Sequence, residues 1–376
     1  MQVNHLLPSV QPLRGAGLSS AVQGLQQSQQ QQAIAATLLA ADQFPKGRRA
    51  RSLVTTTIQA NSTPQTTVIH SHGLWLAPSR ASRQLHRQGY VTVVAPHGML
   101  DPWAWQRRRR LKQLLWWLGE AETVQQATCL QALCPAEVTA IRQLQIQTPI
   151  ALIPNGVDWP DRTQPLPPPP WQSDLPDNTQ ILLFLGRFHT KKGLLPLLQA
   201  WQAWASSAQS NPEAWLVLVG FGEETDRLTA HIHRESIPRC RIYGPVAGAE
   251  KNSCFAHAAG FVLPSYSEGL PMAALEAMSW GLPCLLSQAC NLPQAFTAGA
   301  ALVANPEVDQ LRQAIARWSQ LTATERTAMK SAAEQLIRQQ FSWPAIAEQT
   351  RQLYRWLLSD GDRPAFVSDV SPLRSP

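Results

Sequence analysis

Short apolar runs alternate with longer stretches of helical periodicity along most of the chain. In the first half the runs are VNHLLPSV, TTVIHSHGL, YVTVVAPHG and PIALIPNGV, each closed by proline, glycine or asparagine. Runs of this length that are bounded by turn residues are typical of buried strands. The alternation restarts beyond residue 180 with ILLFLGRF, AWLVLVGFG, CRIYGPV, GFVLPSY and PCLLS. Repeated strand–helix alternation predicts an α/β protein with two parallel sheets that carry helices on both faces.

A proline-rich stretch, RTQPLPPPPWQSDLPDNT, separates the two series of strands. Consecutive prolines form a stiff spacer, and a chain of 376 residues exceeds the usual size of a single core. We therefore predict an N-terminal Rossmann-like domain over residues 1–160, a linker over 161–180 and a second Rossmann-like domain over 181–340. A helix over 341–358 and a loose tail over 359–376 complete the chain. A poly-proline ligand for a partner domain is the alternative interpretation of the linker.

Composition and charge narrow the class of protein. The chain is 44% hydrophobic and 15% charged, and it has neither an apolar run of spanning length nor a basic, apolar leader, so we expect a cytoplasmic enzyme without a signal peptide. Its six cysteines form no C-x-x-C pair, which predicts neither a zinc site nor a disulfide framework. Residues 1–160 carry 14 Lys+Arg against 6 Asp+Glu, a charge of +8, and the remainder carries 18 against 19, a charge of −1. This asymmetry favours an anionic surface or substrate facing the first domain.

Two glycine-containing loops follow predicted strands. LFLGRFHTKKGL places Gly186, Arg187 and Lys192 just past a strand, where the backbone can approach a ligand and the cations can neutralise a phosphate pair. A basic surface loop is the alternative. LRGAGLSSAVQGL places Gly15 and Gly17 before a predicted helix, whose N-terminus could hold an anion. A plain strand–helix turn explains these two glycines equally well.

Three histidines stand at or near strand ends. His97, in VVAPHGMLDPWAW, ends a strand and suits a reacting centre, although a lone histidine at a strand end is more often structural. His70 and His72, in VIHSHGLW, would extend it to a metal cluster. Because no carboxylate or cysteine accompanies them at ligand spacing, we predict no metal site.

The segment RRRRLKQLLWWLGE, residues 107–120, combines a basic start with apolar residues at helical spacing. A basic amphipathic helix of this kind lies on an anionic membrane surface, which predicts peripheral contact through residues 107–118. A core helix with a solvated basic end is the alternative. A nucleic-acid partner is not predicted, because no nucleic-acid motif accompanies the charge.

Two carboxylates lie eight positions apart in PSYSEGLPMAALEAM. Glu268 falls in the loop after a predicted strand, and Glu276 falls on the helix that follows. Carboxylates accept hydrogen bonds from paired hydroxyl groups, so the two could read a sugar and a ribose. The alternative is that Glu268 complements the helix dipole and Glu276 is a solvated helical residue.

Taken together, these motifs resemble the family 4 retaining glycosyltransferases, which have the GT-B fold of two Rossmann-like domains facing each other across a cleft. The resemblance runs from Gly15 to Trp356 and rests on HSHGLW, PHGMLDPW, IPNGVD, GRFHTKKGL, YGPVAG and PSYSEGLPMAALEAM in that order. It implies transfer of a sugar from a UDP- or GDP-linked donor to a saccharide or lipid-linked acceptor, with retention of configuration. Polysaccharide, exopolysaccharide or glycolipid biosynthesis at the inner face of the cytoplasmic membrane is the implied setting, with no cofactor and no metal.

The resemblance also assigns roles by position. It implies that Arg187 and Lys192 hold the donor diphosphate, that Glu268 faces the sugar hydroxyls and that Glu276 grips the ribose. It places His97 near the sugar and sends the C-terminal helix back onto the first domain. The remaining implied donor-binding residues are Gly15, Gly17, Gly186, Gly269 and Leu270. The chain departs from the family pattern in its Gly-Ala-Gly loop and in Gln294, which stands where glutamate is common.

Two other function classes stay open at this point. A nucleotide-sugar epimerase or a phosphorylase uses the same fold and a similar donor site. A non-enzymatic protein that binds an anionic surface would use the basic first half. The presence of Arg187, Lys192, Glu268 and Glu276 argues against the second of these.

Overall fold

The structure, a computed structural model, describes residues 1–10, 12–43, 48–102, 105 and 109–368. It divides into two compact α/β units, of which the first contains residues up to Gly156 and those from Phe341 onward. The second unit is Val157–Gln340.

The elements are numbered in chain order. The strands are β1 Gln2–Leu7, β2 Ala35–Ala40, β3 Thr67–His72, β4 Val91–Ala95, β5 Cys129–Ala132, β6 Ile150–Leu152, β7 Gln180–Leu185, β8 Ala214–Val219, β9 Cys240–Tyr243, β10 Gly260–Leu263, β11 Cys284–Leu286, β12 Ala301–Val303 and β13 Val367–Ser368. The α-helices are α1 Pro12–Gln31, α2 Arg48–Asn61, α3 Ala77–His86, α4 Arg109–Leu115, α5 Ala121–Gln126, α6 Pro135–Gln143, α7 Leu194–Ala205, α8 Thr225–Arg234, α9 Gly248–Ala256, α10 Met272–Ser279, α11 Pro293–Thr297, α12 Val308–Ser319, α13 Ala323–Gln340 and α14 Trp343–Leu357.

The first unit is built on a seven-stranded sheet with the order β13-β6-β5-β4-β3-β1-β2. Every pairing is parallel except that of β13 with β6. Strand β3 is buried along its whole length, as expected for a parallel strand with both faces covered. Because β1 lies between β2 and β3, the strand order reverses at β1, and the carboxyl ends of β1 and β3 flank this switch point.

The second unit is built on a six-stranded parallel sheet with the order β12-β11-β10-β7-β8-β9. The chain builds outward from β7 to β9 and then returns to the other side of β7 with β10. Connections that leave neighbouring strands in opposite directions open a crevice at the carboxyl edge of the sheet. The residues after Leu185 of β7 and after Leu263 of β10 therefore share one edge, where ligands bind in sheets of this kind.

Helix α14 packs on the first unit through an aromatic side chain held between two glycines. A Cβ built on Gly24 of α1 or on Gly156 would lie 2.4 Å from the indole ring of Trp343. Ile346 and Leu353 continue the contact into the core beneath β1 and β3. Only glycine at both positions lets the indole approach the backbone this closely.

The proline-rich segment does not stand free as the predicted spacer. Trp171 and Leu175 are buried, and Arg162 donates hydrogen bonds to the Ser279 carbonyl at 3.0 Å and to Glu334 at 2.6 Å. The segment therefore packs on the second unit. Pro169 is also buried, and the Pro167 carbonyl accepts a hydrogen bond from Ser253 at 2.5 Å, so the prolines contribute to that placement together with the apolar and cationic side chains.

The predicted tail also differs from expectation. Val367 and Ser368 form β13, which pairs antiparallel with Ile150 and Ala151 of β6. An unpaired edge strand exposes its backbone hydrogen-bonding groups, and β13 covers that edge of β6. Residues 369–376 lie outside the described residues.

The basic amphipathic helix predicted from residue 107 is interrupted. Helix α4 is followed by a π-helical turn, Trp116–Glu120, in which Gly119 has φ 136°, and α5 begins at Ala121. Arg83 donates a hydrogen bond to the Gly119 carbonyl, and only glycine leaves room for that guanidinium. Arg107 and Arg108 lie outside the described residues. Among the described helices, none has the length and apolarity needed to cross a bilayer.

We expect Gly24→Ala to destabilise the protein, although alanine is the better helix former by roughly 0.5–1 kcal/mol. The added methyl overlaps the Trp343 ring, and overpacking of this kind costs about 1–3 kcal/mol. Urea unfolding of the wild type and the variant measures the difference. In a Trp343→Leu background the same substitution should lose most of its penalty, and an equal penalty in both backgrounds would contradict the packing argument.

Candidate functional site

The loop after β7 is held directly against the end of β10. A 3₁₀ turn, Thr190–Lys192, ends at Gly193, which has φ 66° and begins α7. A Cβ on Gly193 would lie 2.1 Å from the Pro264 carbonyl oxygen, so the position requires glycine for both its conformation and its close approach. The backbone amide of Tyr266 donates to the Lys191 carbonyl at 2.7 Å and ties the two loops together.

This contact brings Lys192 and Glu268 together as a buried ion pair. The Lys192 ammonium lies 2.5 Å from Glu268 Oε1, and the Ser265 hydroxyl donates to the same oxygen at 2.6 Å. The ammonium of Lys191 lies 3.6 Å from the other carboxylate oxygen. The Glu268 side chain is only 7% exposed, so its charge depends on these partners.

The electrostatics of Glu268 follow from this arrangement. Burial alone would raise the pKa of the carboxyl group, but the ammonium groups of Lys192 and Lys191 and the hydrogen bonds from Lys192 and Ser265 outweigh it. The pKa of Glu268 is therefore lowered, and the group is a carboxylate at neutral pH.

The loop that carries Glu268 is itself fixed by its backbone. The Glu268 amide donates to the Ala289 carbonyl at 3.0 Å, and the Asn291 side chain donates to the Glu268 carbonyl at 2.6 Å and to Gly269 at 3.4 Å. Leu270 is buried below. Asn291, which adopts φ 56°, was not predicted as a site residue; its only signal in the sequence is a polar residue between two elements, in ACNLP.

Arg187 differs from its neighbours. It follows Gly186 immediately after β7, its side chain is exposed, and it has no partner among the described residues. On this loop Lys192 and Lys191 are thus already engaged by the Glu268 carboxylate, whereas Arg187 has no such partner among the described residues.

Glu276 lies on α10 and is half-buried beside a second cation. The Lys251 ammonium of α9 lies 2.7 Å from its Oε1 atom. Lys251 was not predicted from the sequence, because it lies 25 residues away on a different helix.

In the first unit, His97 follows β4 in a strained backbone conformation. His97 has φ 53° and the next residue, Gly98, has φ 73°. The Gly98 amide donates to one oxygen of the buried Glu137 carboxylate at 2.5 Å, and the Leu133 amide donates to the other at 2.8 Å. Non-glycine residues in the left-handed region cost energy and concentrate at functional sites, so this turn is a candidate binding element.

His97 is the partly exposed end of a histidine line, which we define as His5, His72 and His97; His5 and His72 are buried. The Nε2 atom of His97 lies 3.0 Å from Nδ1 of His72, and Nε2 of His72 lies 2.9 Å from Nδ1 of His5. Burial lowers the pKa of His5 and of His97 to about 4 and lowers the pKa of His72 well below its ordinary value. All three imidazoles are neutral at pH 7.

The predicted glycine loop is a helix instead. Helix α1 begins at Pro12, so Gly15 and Gly17 lie in its first two turns and not before it. Ser19 is buried and donates to the Ser9 carbonyl at 2.6 Å. Proline is common at the first position of a helix, so Pro12 is a better signal for the start of α1 than the two glycines that follow it.

The architecture and the switch-point residues define a class of protein: two parallel-sheet α/β units of the GT-B type. Two family models match successive parts of the chain, one described as Glycosyltransferase Family 4 over residues 27–159 and one described as Glycosyl transferases group 1 over residues 169–336. The chain belongs to the group 1 glycosyltransferases of the family 4 type, which confirms the family and fold class predicted from its motifs.

Individual relatives are distant. The O-antigen chain mannosyltransferase B of Escherichia coli is 32% identical over 178 residues, which cover 46% of this chain and 45% of the relative. The chain spans less than half the length of the first curated relatives that it matches. Sucrose-phosphate synthase from Thermosynechococcus elongatus superposes with a TM-score of 0.73 at 19% identity, covering 96% of this chain and 100% of that one. HepE from Anabaena, solved with UDP and glucose, superposes with a TM-score of 0.68 at 18% identity, covering 95% and 100%.

Removing the Lys192 charge should expose the cost of burying Glu268. We expect Lys192→Met to lower the free energy of unfolding by about 3 kcal/mol at pH 7.5, since a buried carboxylate then loses its nearest cation. The pKa of Glu268 should rise, so protonation relieves the deficit and the difference from wild type shrinks toward pH 5. Urea unfolding at the two pH values measures both effects.

Lys191→Met is the matched control for this experiment. Its ammonium is farther from Glu268 and more exposed, so the loss should stay below about 1 kcal/mol. Equal losses in the two variants, or a Lys192→Met deficit that does not change with pH, would contradict the proposed electrostatics.

Proposed function

We propose that the chain is a retaining glycosyltransferase that moves a sugar from a nucleoside-diphosphate sugar to a saccharide or lipid-linked acceptor in glycan biosynthesis. The observation that carries the proposal is the pairing of Lys192 with Glu268 beside the available Arg187 at the switch point of the second sheet. Membership of the group 1 glycosyltransferases supports it, as do the relatives named as a mannosyltransferase and as a complex with UDP and glucose.

In the proposed donor site, cationic side chains bind the diphosphate and carboxylates bind the hydroxyl groups of the donor. Arg187 and Lys192 would hold the diphosphate, because both follow the same strand and a guanidinium matches phosphate geometry. Glu268 would accept hydrogen bonds from the sugar, and Glu276, oriented by Lys251, would accept them from the ribose. Gly186, Gly269 and Leu270 would supply the surrounding backbone and apolar wall.

The proposed chemistry is a substitution at the anomeric carbon. The acceptor hydroxyl oxygen forms a bond to that carbon while the carbon–oxygen bond to the diphosphate breaks and its electron pair moves to the phosphate. The acceptor proton passes to the leaving phosphate on the same face, which gives retention. Negative charge grows on the phosphate, and fixed side-chain cations stabilise it, so the route uses no metal ion.

Calorimetry with UDP and with GDP tests the donor site. We expect the wild type to bind at least one of them, and Arg187→Ala to weaken that binding roughly ten- to a hundredfold, as for loss of a hydrogen bond to a charged group. Arg312→Ala, at an exposed position of α12 in the same unit, removes an equal charge and should bind as the wild type does. Absence of binding to both nucleotides would contradict the proposed UDP- or GDP-linked donor.

The need for an acceptor distinguishes the proposed glycosyltransferase from a nucleotide-sugar epimerase. A transferase releases nucleoside diphosphate from its donor mainly when an acceptor is present. An epimerase on the same fold would convert the donor without any acceptor, and that result would replace the proposed reaction.

We further propose that the first unit docks on an anionic membrane through α4 and the turn after it. Trp117 is 85% exposed and Leu118 is 68% exposed, whereas Trp116 turns inward to Trp75 and Trp105. The same short segment begins with exposed Arg109 and Arg110, and the other outward-facing apolar side chains are Leu111 and Leu114. Exposed apolar groups beside arginines suit the headgroup region of an anionic bilayer.

Flotation with phosphatidylglycerol-containing vesicles tests this surface. We expect Arg109→Gln with Arg110→Gln to reduce binding by a factor on the order of ten or more, at about 1 kcal/mol for each arginine, and Trp117→Ser with Leu118→Ser to abolish it. Phe221→Ser, which removes an aromatic side chain 48% exposed on the second unit, should float as the wild type does. Unchanged flotation of both surface variants would reject the membrane contact.

A further inference from the structure

The far end of the histidine line is anchored by an amide whose orientation is determined. The Thr350 hydroxyl donates to the Ala347 carbonyl at 2.9 Å, so its oxygen is left to accept from Gln29 Nε2 at 3.0 Å. The other amide atom, Gln29 Oε1, lies 2.8 Å from Nε2 of His5. An amide oxygen only accepts, so His5 carries its proton on Nε2.

The tautomer of His5 determines the tautomers of the next two rings, because a neutral imidazole has one protonated and one unprotonated nitrogen. With its proton on Nε2, His5 has an unprotonated Nδ1, which accepts from Nε2 of His72. The Nδ1 atom of His72 is then unprotonated and accepts from Nε2 of His97. The last ring in the line is left with an unprotonated Nδ1.

We infer that Gln29 sets the tautomer of His97 through His5 and His72, so that His97 presents Nδ1 as an acceptor for a hydroxyl group of the ligand. Gln29 is a positioning residue in this arrangement and touches no ligand itself. His97 is partly exposed, and its Nδ1 has no hydrogen-bond partner among the residues that the structure describes. The identity of the ligand as a sugar rests on the proposed function, whereas the tautomer does not.

The same side chains could instead be read as a metal site. Ring nitrogens of His5, His70 and His72 lie within 4.8 Å of one another. However, both nitrogens of His5 and of His72 already take part in hydrogen bonds, and Nδ1 of His70 lies 2.7 Å from the Tyr354 hydroxyl. A metal would have to break the His5–His72 bond and displace the rings, so the hydrogen-bonded line is the better account.

Two-bond proton–nitrogen correlation spectra of the full chain, labelled with ¹⁵N-histidine, report the tautomer directly. In the wild type at pH 7.5 we expect His97 to show a protonated Nε2 and an unprotonated Nδ1. Gln29→Leu removes the anchoring acceptor and should turn His97 into a mixture of both tautomers. Gln29→Glu retains an acceptor toward His5 and should preserve the wild-type pattern.

Tyr354→Phe is the control: it removes the partner of His70 and the 3.3 Å hydrogen bond from Gln29 Nε2 to the Tyr354 hydroxyl, but it leaves the contacts of Gln29 with Thr350 and His5 that determine the amide orientation. It should change the His70 signals and leave His97 as in the wild type. A protonated Nδ1 on His97 in the wild type, or an unchanged tautomer in folded Gln29→Leu, would overturn the inference. Zinc-dependent shifts of the His5 and His72 nitrogens would overturn it in favour of a metal site.

Titrations with UDP-glucose and UDP, and with GDP-mannose and GDP, separate the ligand from the tautomer. A sugar nucleotide that binds should shift the Nδ1 resonance of His97, and its nucleoside diphosphate alone should not. Binding of the sugar nucleotide without that shift would overturn the hydroxyl contact while the tautomer result stands. Absence of any nucleotide binding would count against the proposed function and the contact together, and the tautomer spectra would still decide the role of Gln29.

Discussion

A carboxylate that stays charged when buried needs compensating groups around it, and Glu268 obtains both a cation and hydrogen-bond donors from the two loops that meet beside it. Lys192 arrives from the loop after β7, and Ser265 lies on the loop after β10. That meeting requires β7 and β10 to be neighbours, and it requires Gly193 to pass directly over the Pro264 carbonyl. The strand order, the left-handed glycine and the ion pair are therefore parts of one constraint.

The ion pair also bears on how the proposed donor would be received. The charge of Lys192 is neutralised by Glu268, whereas Arg187 has no ion-pair partner in the part of the chain that the structure describes. A diphosphate that binds here would therefore interact with the uncompensated charge of Arg187 and would compete with Glu268 for Lys192. A carboxylate that yields its cation needs new donors in a buried setting, and the hydroxyl groups of a sugar would supply them. On this reasoning, the proposed donor site would recognise diphosphate and sugar together more favourably than either alone.

Local signals in the sequence were sufficient for most strands of the two sheets and for half of the candidate site. Long strands buried on both faces form apolar runs, and the turn and helix signals around Glu268 and Glu276 are equally local. Strands β2, β5, β12 and β13 were not predicted, because β2 and β12 are partly exposed, β5 has four residues with Gln131 among them, and β13 has two residues. Contacts between distant segments had no local signature: Lys251 lies 25 residues before Glu276, and Thr350 lies 321 residues after Gln29.

The two units stabilise their buried polar side chains in different ways. In the second unit, the charges of Glu268 and Lys192 compensate each other. This ion pair fixes the positions of both side chains, but an anionic ligand can compete with Glu268 for the Lys192 ammonium. Along the histidine line, burial keeps the pKa of each imidazole low, and every ring has one donor and one acceptor. All the hydrogen bonds along the line therefore run in one direction, so the acceptor Oε1 of Gln29 at one end leaves Nδ1 of His97 as an acceptor at the other. A neutral acceptor suits a hydroxyl group and disfavours an ionised phosphate oxygen, which has no proton to donate.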